Sequence, residues 1–535
     1  MEHLDPLIEM LDIDERSLFA AFLEKSSREN KEAKLFSLLT DKLERSPQDI
    51  VRKLYGRSDA DKLDSANAYH SLRKRLLNRI FNYLVRHVSD KDPTDHSQIP
   101  GTIAVCRICM RRDKVALAKH FIHKAEKSAQ LYRQYDMLDL LYNFMIENSA
   151  ALGLNLQDVI TRSIENARKI EINRKLNYAV ALIRQNLEGA RHSGKTLSPD
   201  AINHLVLHEL KLDESHTNIP SFQFRILDIY RFSMISNKEY YDLEAYIQKH
   251  YDSLRQANAF TRADREIEQG FLFFLAHAQY RNRKFTTAQA TLLAAENMLS
   301  DALFRSSAYY LKMISLKGAI LANSGYNHQA ILLMDQHMEQ IRKLNDSSEQ
   351  LNMLLNCCVY QFNASNFKMA GALMRETDDF LKKSKKKMGV EWIFKKRMIH
   401  LIVRIEMESL EEAAKLLKGI KDDYKEFFKH PVYERAGIFL NLVEEYLNDP
   451  MLVSEPEFFL KVKSSGLAWP GHKEDIQAIT FFCWLLSKMM KRPYYVALME
   501  RMSEGVVQDE MILPDDFEER YGALPKVLYL KREDE

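Results

Sequence analysis

The sequence predicts an all-α protein, an α-solenoid of helical hairpins with a period of about 41 residues. The main observation is a short polar turn that recurs along the chain and ends each time in a bulky residue. These bulky residues are 41, 41 and 43 residues apart, at Phe285, Tyr326, Phe367 and Leu410. A fixed period of this size is typical of stacked helical repeats. Composition agrees, because Gly (16) and Pro (13) are scarce and 28% of the 535 residues are charged, which favours helices.

The segments between these turns have the apolar spacing of helices. Apolar residues recur with a helical period over residues 267–280, 308–322, 351–362 and 392–405. A small residue follows each turn, at Ala288, Ala330, Ala370 and Ala413. We expect these alanines to lie where two helices cross closely.

The same turn can be traced toward the N-terminus. Its earlier bulky residues are Tyr240, Leu197, Leu156 and Val115. Pro199, just after the turn at Leu197, suits the first position of a helix, with Ser198 before it as the cap. Together the turns predict eight helical hairpins between about residues 100 and 447.

The order of helix, short turn, bulky residue, two intervening residues and alanine resembles the tetratricopeptide repeat (TPR). The closest matches are residues 407–417 and 112–118, and the resemblance covers roughly residues 100–447. The period is longer than that family's usual ~34 residues, which indicates lengthened helices. The resemblance implies hairpins that bind another protein on a concave surface, without chemistry.

The two ends of the chain differ from this repeated middle part. Residues 1–90 are predicted to be helical but lack the recurring turn, and residues 91–101 form a polar linker with two prolines and a glycine,. The repeats occupy residues 102–447. Residues 448–535 are predicted to be a helical cap and tail, because the last repeat of a stack must cover its apolar face,.

Charge and cysteine content exclude several classes of protein. The formal net charge of +2 gives no overall attraction to nucleic acid or membranes,. Five scattered cysteines are not a disulfide framework,. The most apolar stretch, residues 476–490, is too short to span a bilayer, and the first residues lack the pattern of a signal peptide,. We therefore expect a cytoplasmic protein with no membrane contact.

One segment matches the residue pattern of a phosphate-binding loop but lacks the secondary structure that such a loop requires. Gly189, Gly194, Lys195 and Thr196 fit the pattern of a P-loop, which requires a strand before it and a helix after it,. Residues 176–188 have helical periodicity instead, and Pro199 interrupts any helix that begins at Lys195. We interpret the segment as a turn between helices, and predict no nucleotide cofactor.

Two cysteines and two histidines allow either a zinc site or a packing role. Cys106 and Cys109 precede His120 and His123, and a hairpin could bring such pairs together around a tetrahedral ion,. The spacing differs from that of zinc fingers, and cysteine is often buried without metal. We predict that these cysteines pack in a hairpin and that no metal is bound.

A basic helix offers the alternative function. Arg73, Lys74, Arg75 and Arg79 lie close together within a predicted helix at residues 67–87. The segment resembles the end of a winged-helix DNA-binding domain, as found in bacterial activators that carry helical repeats, although no wing strands follow it. The resemblance implies a DNA-binding regulator, whereas the competing interpretation is a solvated basic face. A second basic cluster lies at residues 382–387.

No pair of residues with the pattern of a catalytic acid and base, and no nucleophile motif, is visible in the sequence. We therefore predict that the protein is not an enzyme and has no catalytic residues. Its predicted function is that of a scaffold or adaptor, with a protein or peptide partner held on a concave helical surface. The sequence does not name the partner.

Overall fold

The computed structural model describes most of the chain. The described residues are 4–11, 13–24, 31–40, 47–55, 63–91, 98–193, 219–236, 240–261, 264–298, 307–344, 347–383, 388–429, 431–465, 467, 476–503 and 513–522. Within them the structure has 25 α-helices, two short 3₁₀ helices and no strand, so the all-α prediction is confirmed. The chain forms two compact units, Met1–Arg168 and Lys169–Glu535.

The first unit contains two clusters of buried side chains. Its helices are α1 (Leu4–Met10), α2 (Ile13–Glu24), α3 (Lys31–Thr40), α4 (Pro47–Tyr55), α5 (Leu63–Lys91), α6 (Gln98–Arg111), α7 (Val115–Leu131), α8 (Tyr135–Glu147), α9 (Ser149–Leu152) and the start of α10 (Leu156–Ser193). The first cluster lies among α1 to α5, where Leu72, Leu76 and Ile80 form a buried stripe along α5,. The second lies among α6 to α10 and contains Cys106 and Cys109.

The second unit contains the remaining helices. After the end of α10 they are α11 (Pro220–Ser236), α12 (Tyr240–Gln256), α13 (Arg265–Arg281), α14 (Phe285–Glu296), α15 (Tyr310–Asn323), α16 (Asn327–Arg342), α17 (Ser347–Asn363), α18 (Phe367–Lys383), α19 (Val390–Glu406), α20 (Leu410–Asp423), α21 (Pro431–Asn448), α22 (Pro456–Ser464), α23 (Ile476–Met490), α24 (Tyr494–Ser503) and α25 (Phe517–Tyr521).

Helices α11 to α20 pack as five neighbouring hairpins: α11/α12, α13/α14, α15/α16, α17/α18 and α19/α20. We call the helix before each turn the first helix and the one after it the second helix. Each second helix also packs against the first helix of the next hairpin. The first helices α11, α13, α15, α17 and α19 contact one another in that order, so each hairpin buries its apolar surface against its neighbours.

The recurring turn of the sequence is a helix end in which one residue is left-handed. Arg283 has φ 62°. The amide of Lys284 donates to the carbonyl of Gln279 over 3.0 Å, and the amide of Arg283 donates to Tyr280 over 3.0 Å. These two bonds define a Schellman motif, which closes a helix in a fixed direction. Left-handed residues occupy the equivalent place in the other turns, at Gly325, Ser365 and Glu408.

The bulky residues predicted from the period lie at helix starts wherever the structure describes them. They are the first helical residue in α7, α10, α12, α14, α18 and α20, and Tyr326 directly precedes α16. The predicted alanines are completely buried (0% exposed): Ala288, Ala330, Ala370 and Ala413. Small side chains at these positions allow two helices to approach closely.

The predicted hairpins before residue 220 differ from those found. Between Leu156 and the expected turn at Leu197 a single helix, α10, extends to Ser193, and Leu197 lies outside the described residues. Between Val115 and Leu156 two extra helices, α8 and α9, interrupt the expected hairpin. Helix α8 is separate because α7 ends early, in a Schellman turn at residues 132–134 in which Arg133 has φ 51°,.

The last helices return to the hairpins from far along the chain. Ile479, Cys483 and Tyr495 share a buried cluster with Phe285 and Ile320. The hydroxyl of Tyr495 donates to the carbonyl of Ala322 over 2.6 Å. Helices α23 to α25 therefore form one interior with α13 to α15, although up to 245 residues separate members of this cluster, from Leu272 to Phe517.

Candidate binding cavity on the first helices

A cavity of about 680 Å³ lies within the second unit. Its wall is formed by the first helices α11, α13, α15, α17 and α19 on one side, and by α23 and the start of α24 on the other. The first helices contribute because they contact one another in sequence order. Helix α23 contributes because its own apolar side is buried against the same region.

Each first helix contributes residues from one of its faces. On α11 the lining residues are Phe224, Asp228 and Arg231, and on α15 they include Lys312, Leu316 and Asn323. Residues three or four positions apart lie on the same face of a helix. This spacing places a mixed polar and aromatic surface toward the cavity, while the opposite face of each first helix packs on its second helix.

One end of the cavity is a cluster of four rings, which we call the aromatic cluster: Phe224, Phe273, Phe274 and Tyr309. The rings of Phe224 and Phe274 are stacked with centroids 5.3 Å apart and an interplanar angle of 2°. Phe273 and Tyr309 are 5.4 Å apart. Burial, with a smaller effect of the nearby Asp228, raises the pKa of Tyr309 to about 12, so its hydroxyl stays protonated at neutral pH.

Cationic side chains surround this cluster. The guanidinium of Arg231 lies 4.2 Å from the centre of the Phe274 ring and forms a 2.9 Å ion pair with Asp228. The ammonium of Lys312 lies 5.6 Å from the Tyr309 ring. The cavity is lined by four Lys or Arg side chains and two carboxylates. Its local charge is therefore positive, although the whole chain is nearly neutral,.

Polar side chains join the first helices along the cavity. Asn356 of α17 donates to the Ser315 hydroxyl of α15 over 3.2 Å. Asn323 of α15 donates to the Tyr280 hydroxyl of α13 over 3.0 Å. Because a bond of this kind depends on the relative position of two helices, these contacts fix the register of neighbouring first helices.

The wall opposite the first helices is attached by specific polar contacts. The indole of Trp484 on α23 donates to Oε1 of Glu406 over 2.6 Å. Lys488, one turn further along α23, lies 2.6 Å from the same oxygen. At the start of α24 the ring of Tyr494 meets that of Phe362 at 5.2 Å. These contacts hold α23 and α24 against α17 and α19.

The basic residues predicted for DNA contact lie in the first unit, on α5. Three of the four are close to carboxylates of that unit. Arg73 donates to Asp5 over 2.8 Å, and Arg75 and Arg79 lie 3.6 and 2.9 Å from Glu32. Lys74 is exposed on the same helix. A phosphate would have to compete with Asp5 and Glu32 for these arginines.

The described residues of the other sequence motifs are not assembled into sites. Gly189 lies within α10, so a helix occupies the place where a P-loop requires a strand, and residues 194–196 lie outside the described residues. Cys106 and Cys109 are buried, whereas His120 and His123 are exposed. Among the described residues no cluster of His, Cys, Asp and Glu has the arrangement of a metal site. Most of the basic cluster at 382–387 is also outside them.

A comparison with protein-family models, curated proteins and solved structures finds no match. The assignment of function therefore depends on the geometry of the cavity. Sequence reasoning did not identify any lining residue as a site. The sequence feature that could have indicated this lining is the helical spacing of polar residues on the first helices, such as Asn352, Asn356 and Lys312. Polar residues with this spacing usually lie on a solvated face, so they do not by themselves indicate a site.

A membrane span requires a helix that is both long and apolar. None of the helices described is at once long and apolar enough to cross a bilayer. Helix α23, the most apolar segment of the sequence, has only 15 residues. Its apolar side chains are buried in the second unit.

Proposed function

We propose that the protein is a non-catalytic scaffold or adaptor that binds a protein partner on the first helices of a TPR-like α-solenoid. The observation that supports this proposal is the docking of α23 on these helices. Here an apolar helix lies across several successive hairpins, with Trp484 1% exposed and bonded to Glu406. Helix-in-groove docking is a common way for proteins to recognise a partner segment.

The position of α23 also limits where a partner can bind. The surface near Ile320, Phe362 and Glu406 is already covered by α23 and α24. The mouth of the cavity remains, with Lys312 exposed and Asn352 and Phe273 partly exposed. A partner segment would place side chains in this mouth, and the cationic lining favours an acidic segment.

The proposal is tested by quantitative affinity capture from cells of the source organism. Lys312→Glu reverses a charge at the mouth, and Lys418→Glu makes the same change on an exposed position of α20. Bound proteins are quantified by mass spectrometry. We expect at least one protein to bind the wild type and the Lys418 variant about tenfold more than the Lys312 variant, since an interfacial charge contact contributes about 1.4 kcal/mol or more. Equal capture by all three proteins would exclude the cavity mouth as the binding surface.

The alternative, a DNA-binding regulator, is not supported by the described residues. Arg73 pairs with Asp5, and Arg75 and Arg79 share the carboxylate of Glu32, so a phosphate would have to compete with these ion pairs. A salt series of duplex DNA binding tests this alternative, because each phosphate contact steepens the loss of affinity with salt.

A further inference from the structure

We propose that the cavity is a binding site for a small aromatic anion, with the ring against the aromatic cluster and the anionic group toward Lys312. This inference goes beyond the scaffold function, because it concerns a free small molecule that would share Lys312 with the proposed partner segment. It depends on the size, the ring content and the charge of the cavity.

The size suits a small ligand. A volume of about 680 Å³ lies within the ~300–1,000 Å³ of typical small-molecule pockets. A whole helix would not fit beside α23, because a helix with its side chains is about 10–12 Å across. The cavity lies between successive helices, which is a frequent position for ligand sites in helical proteins.

The aromatic cluster provides a surface for a ring. Phe273 and Tyr309 line the cavity and are partly exposed, and Phe274 lines it with only 7% of its surface exposed. Aromatic rings prefer offset or edge-to-face contacts with centroids about 4.5–7 Å apart, the spacing already present within the cluster,. A ligand ring would extend this packing by one member.

The charge selects an anion. Arg231 is neutralised by its ion pair with Asp228. Lys312 is exposed and makes no ion pair with any described residue, and its nearest recorded partner is the Tyr309 ring at 5.6 Å. An anion on a ligand ring stacked near Tyr309 would come within reach of this ammonium group. A cation at the same place would be repelled by Lys312.

A matched pair of fluorescent probes tests the inference on the full chain. 1-Anilinonaphthalene-8-sulfonate carries two aromatic groups and one sulfonate, and N-phenyl-1-naphthylamine has the same rings without the charge. Both are titrated into the wild type, Lys312→Gln and the control Lys418→Gln, which changes an exposed lysine outside the cavity. Circular dichroism and thermal unfolding show whether each variant is folded.

We expect the sulfonate probe to bind the wild type at one site and to bind Lys312→Gln about tenfold more weakly, since charge-assisted contacts are the strong ones. The neutral probe should change less than about twofold, and Lys418→Gln should match the wild type for both. Equal affinity of the sulfonate probe for all three proteins, or no binding at about 1 mM, would overturn the inference. An equal loss for both probes would show an apolar pocket without anion selection, which also contradicts it. Capture of a protein partner is measured separately, so failure of the small-anion inference can be distinguished from failure of the scaffold proposal.

Discussion

Trp484 donates its indole hydrogen to Glu406 over 2.6 Å, which joins α23 to the end of α19 across 78 residues of sequence. Glu406 is the last residue of α19, a place where the helix dipole disfavours a carboxylate. The contacts with Trp484 and Lys488 compensate for this. Glu406 is thus one of the side chains that attach the wall of the cavity to the hairpins.

Glu406→Ala should lower the free energy of unfolding of the second unit by about 2–3 kcal/mol, because the buried indole N–H loses its acceptor. The measurement is urea denaturation followed by tryptophan fluorescence. All three tryptophans lie in residues 169–535, so the signal reports on that unit. Glu411→Ala, at an exposed position of α20, is the control and should change stability by less than about 0.5 kcal/mol. Similar losses in both variants would contradict the role given to Glu406.

Tyr495→Phe should destabilise the second unit by about 1–2 kcal/mol. The hydroxyl of Tyr495 donates to the Ala322 carbonyl in a buried position, and removing it leaves that carbonyl without this bond. Tyr178→Phe is the matched control, because the Tyr178 side chain is 61% exposed. The same denaturation assay applies, and an unchanged midpoint for Tyr495→Phe would show that the α24 contact contributes no stability.

His400 should make the stability of the second unit depend on pH between about 6.5 and 4. Burial is the main cause that lowers the pKa of His400 from 6.5 to about 4. The positive charges of Lys396 and Arg404 add to this shift, whereas the carboxylates of Asp378 and Glu412 oppose it. Arg404 donates to its Nε2 over 3.0 Å, so this nitrogen is unprotonated. Below pH 6.5 the unfolded chain binds a proton that the folded chain does not bind, and folding therefore becomes less favourable as the pH falls.

His400→Gln keeps an acceptor for Arg404 and removes the titration. Between pH 7 and pH 4.5 the wild type should lose about 2 kcal/mol more than this variant, a value reduced for partial solvent exposure. His120→Gln, at an exposed histidine of the first unit, should leave the pH profile of the tryptophan signal unchanged. Parallel profiles for the wild type and His400→Gln would show that His400 does not cause the acid sensitivity.

Gly325→Ala should weaken the attachment of residues 513–522. Gly325 has φ 96°, and a Cβ there would lie 2.7 Å from Leu513 and 2.8 Å from Pro514. Both the backbone conformation and the space therefore disfavour a side chain. Limited proteolysis should cleave near residue 513 several-fold faster in this variant. Gly389→Ala is the control, because nothing lies within 4 Å of its added Cβ, and it should leave the cleavage rate unchanged.

Glu408→Gly should stabilise the second unit by about 0.5–1 kcal/mol. Glu408 is exposed and has φ 58° in the turn between α19 and α20. Glycine adopts this conformation without the penalty of about 1 kcal/mol that an L side chain has there. Its greater conformational freedom in the unfolded chain offsets part of this gain in stability. Ala414→Gly within α20 provides the contrast and should cost about 1 kcal/mol. Destabilisation by both changes would show that the turn does not favour glycine.

The positions of many helix starts were predictable from short stretches of sequence. Phe285, Phe367 and Leu410 each begin a helix, because the Schellman turn before them depends on hydrogen bonds that span only five residues. The prediction failed at α10, where one helix replaces an expected hairpin. One long helix and a helical hairpin have the same apolar period, so the spacing of bulky residues alone does not show whether the chain bends.

The cavity was not predictable in the same way. Lys312 and Asn356 resemble ordinary exposed polar residues of a helix. They become lining residues only because α15 and α17 lie side by side and α23 lies opposite them. The sequence separation between α15 and α23 exceeds 150 residues, and no period relates α23 to the hairpins.

By itself the sequence determined the helical class, the positions of the recurring turns, and the alanines expected at the helix crossings, because each depends on interactions between residues close together in the chain. Only the tertiary structure decided that α23 and α24 return to the first helices and leave a cationic, aromatic-lined cavity between them. Such an arrangement depends on burial shared among distant segments, where apolar surface of α23 such as Ile479 and Cys483 is removed from water against Leu272 and Leu316,.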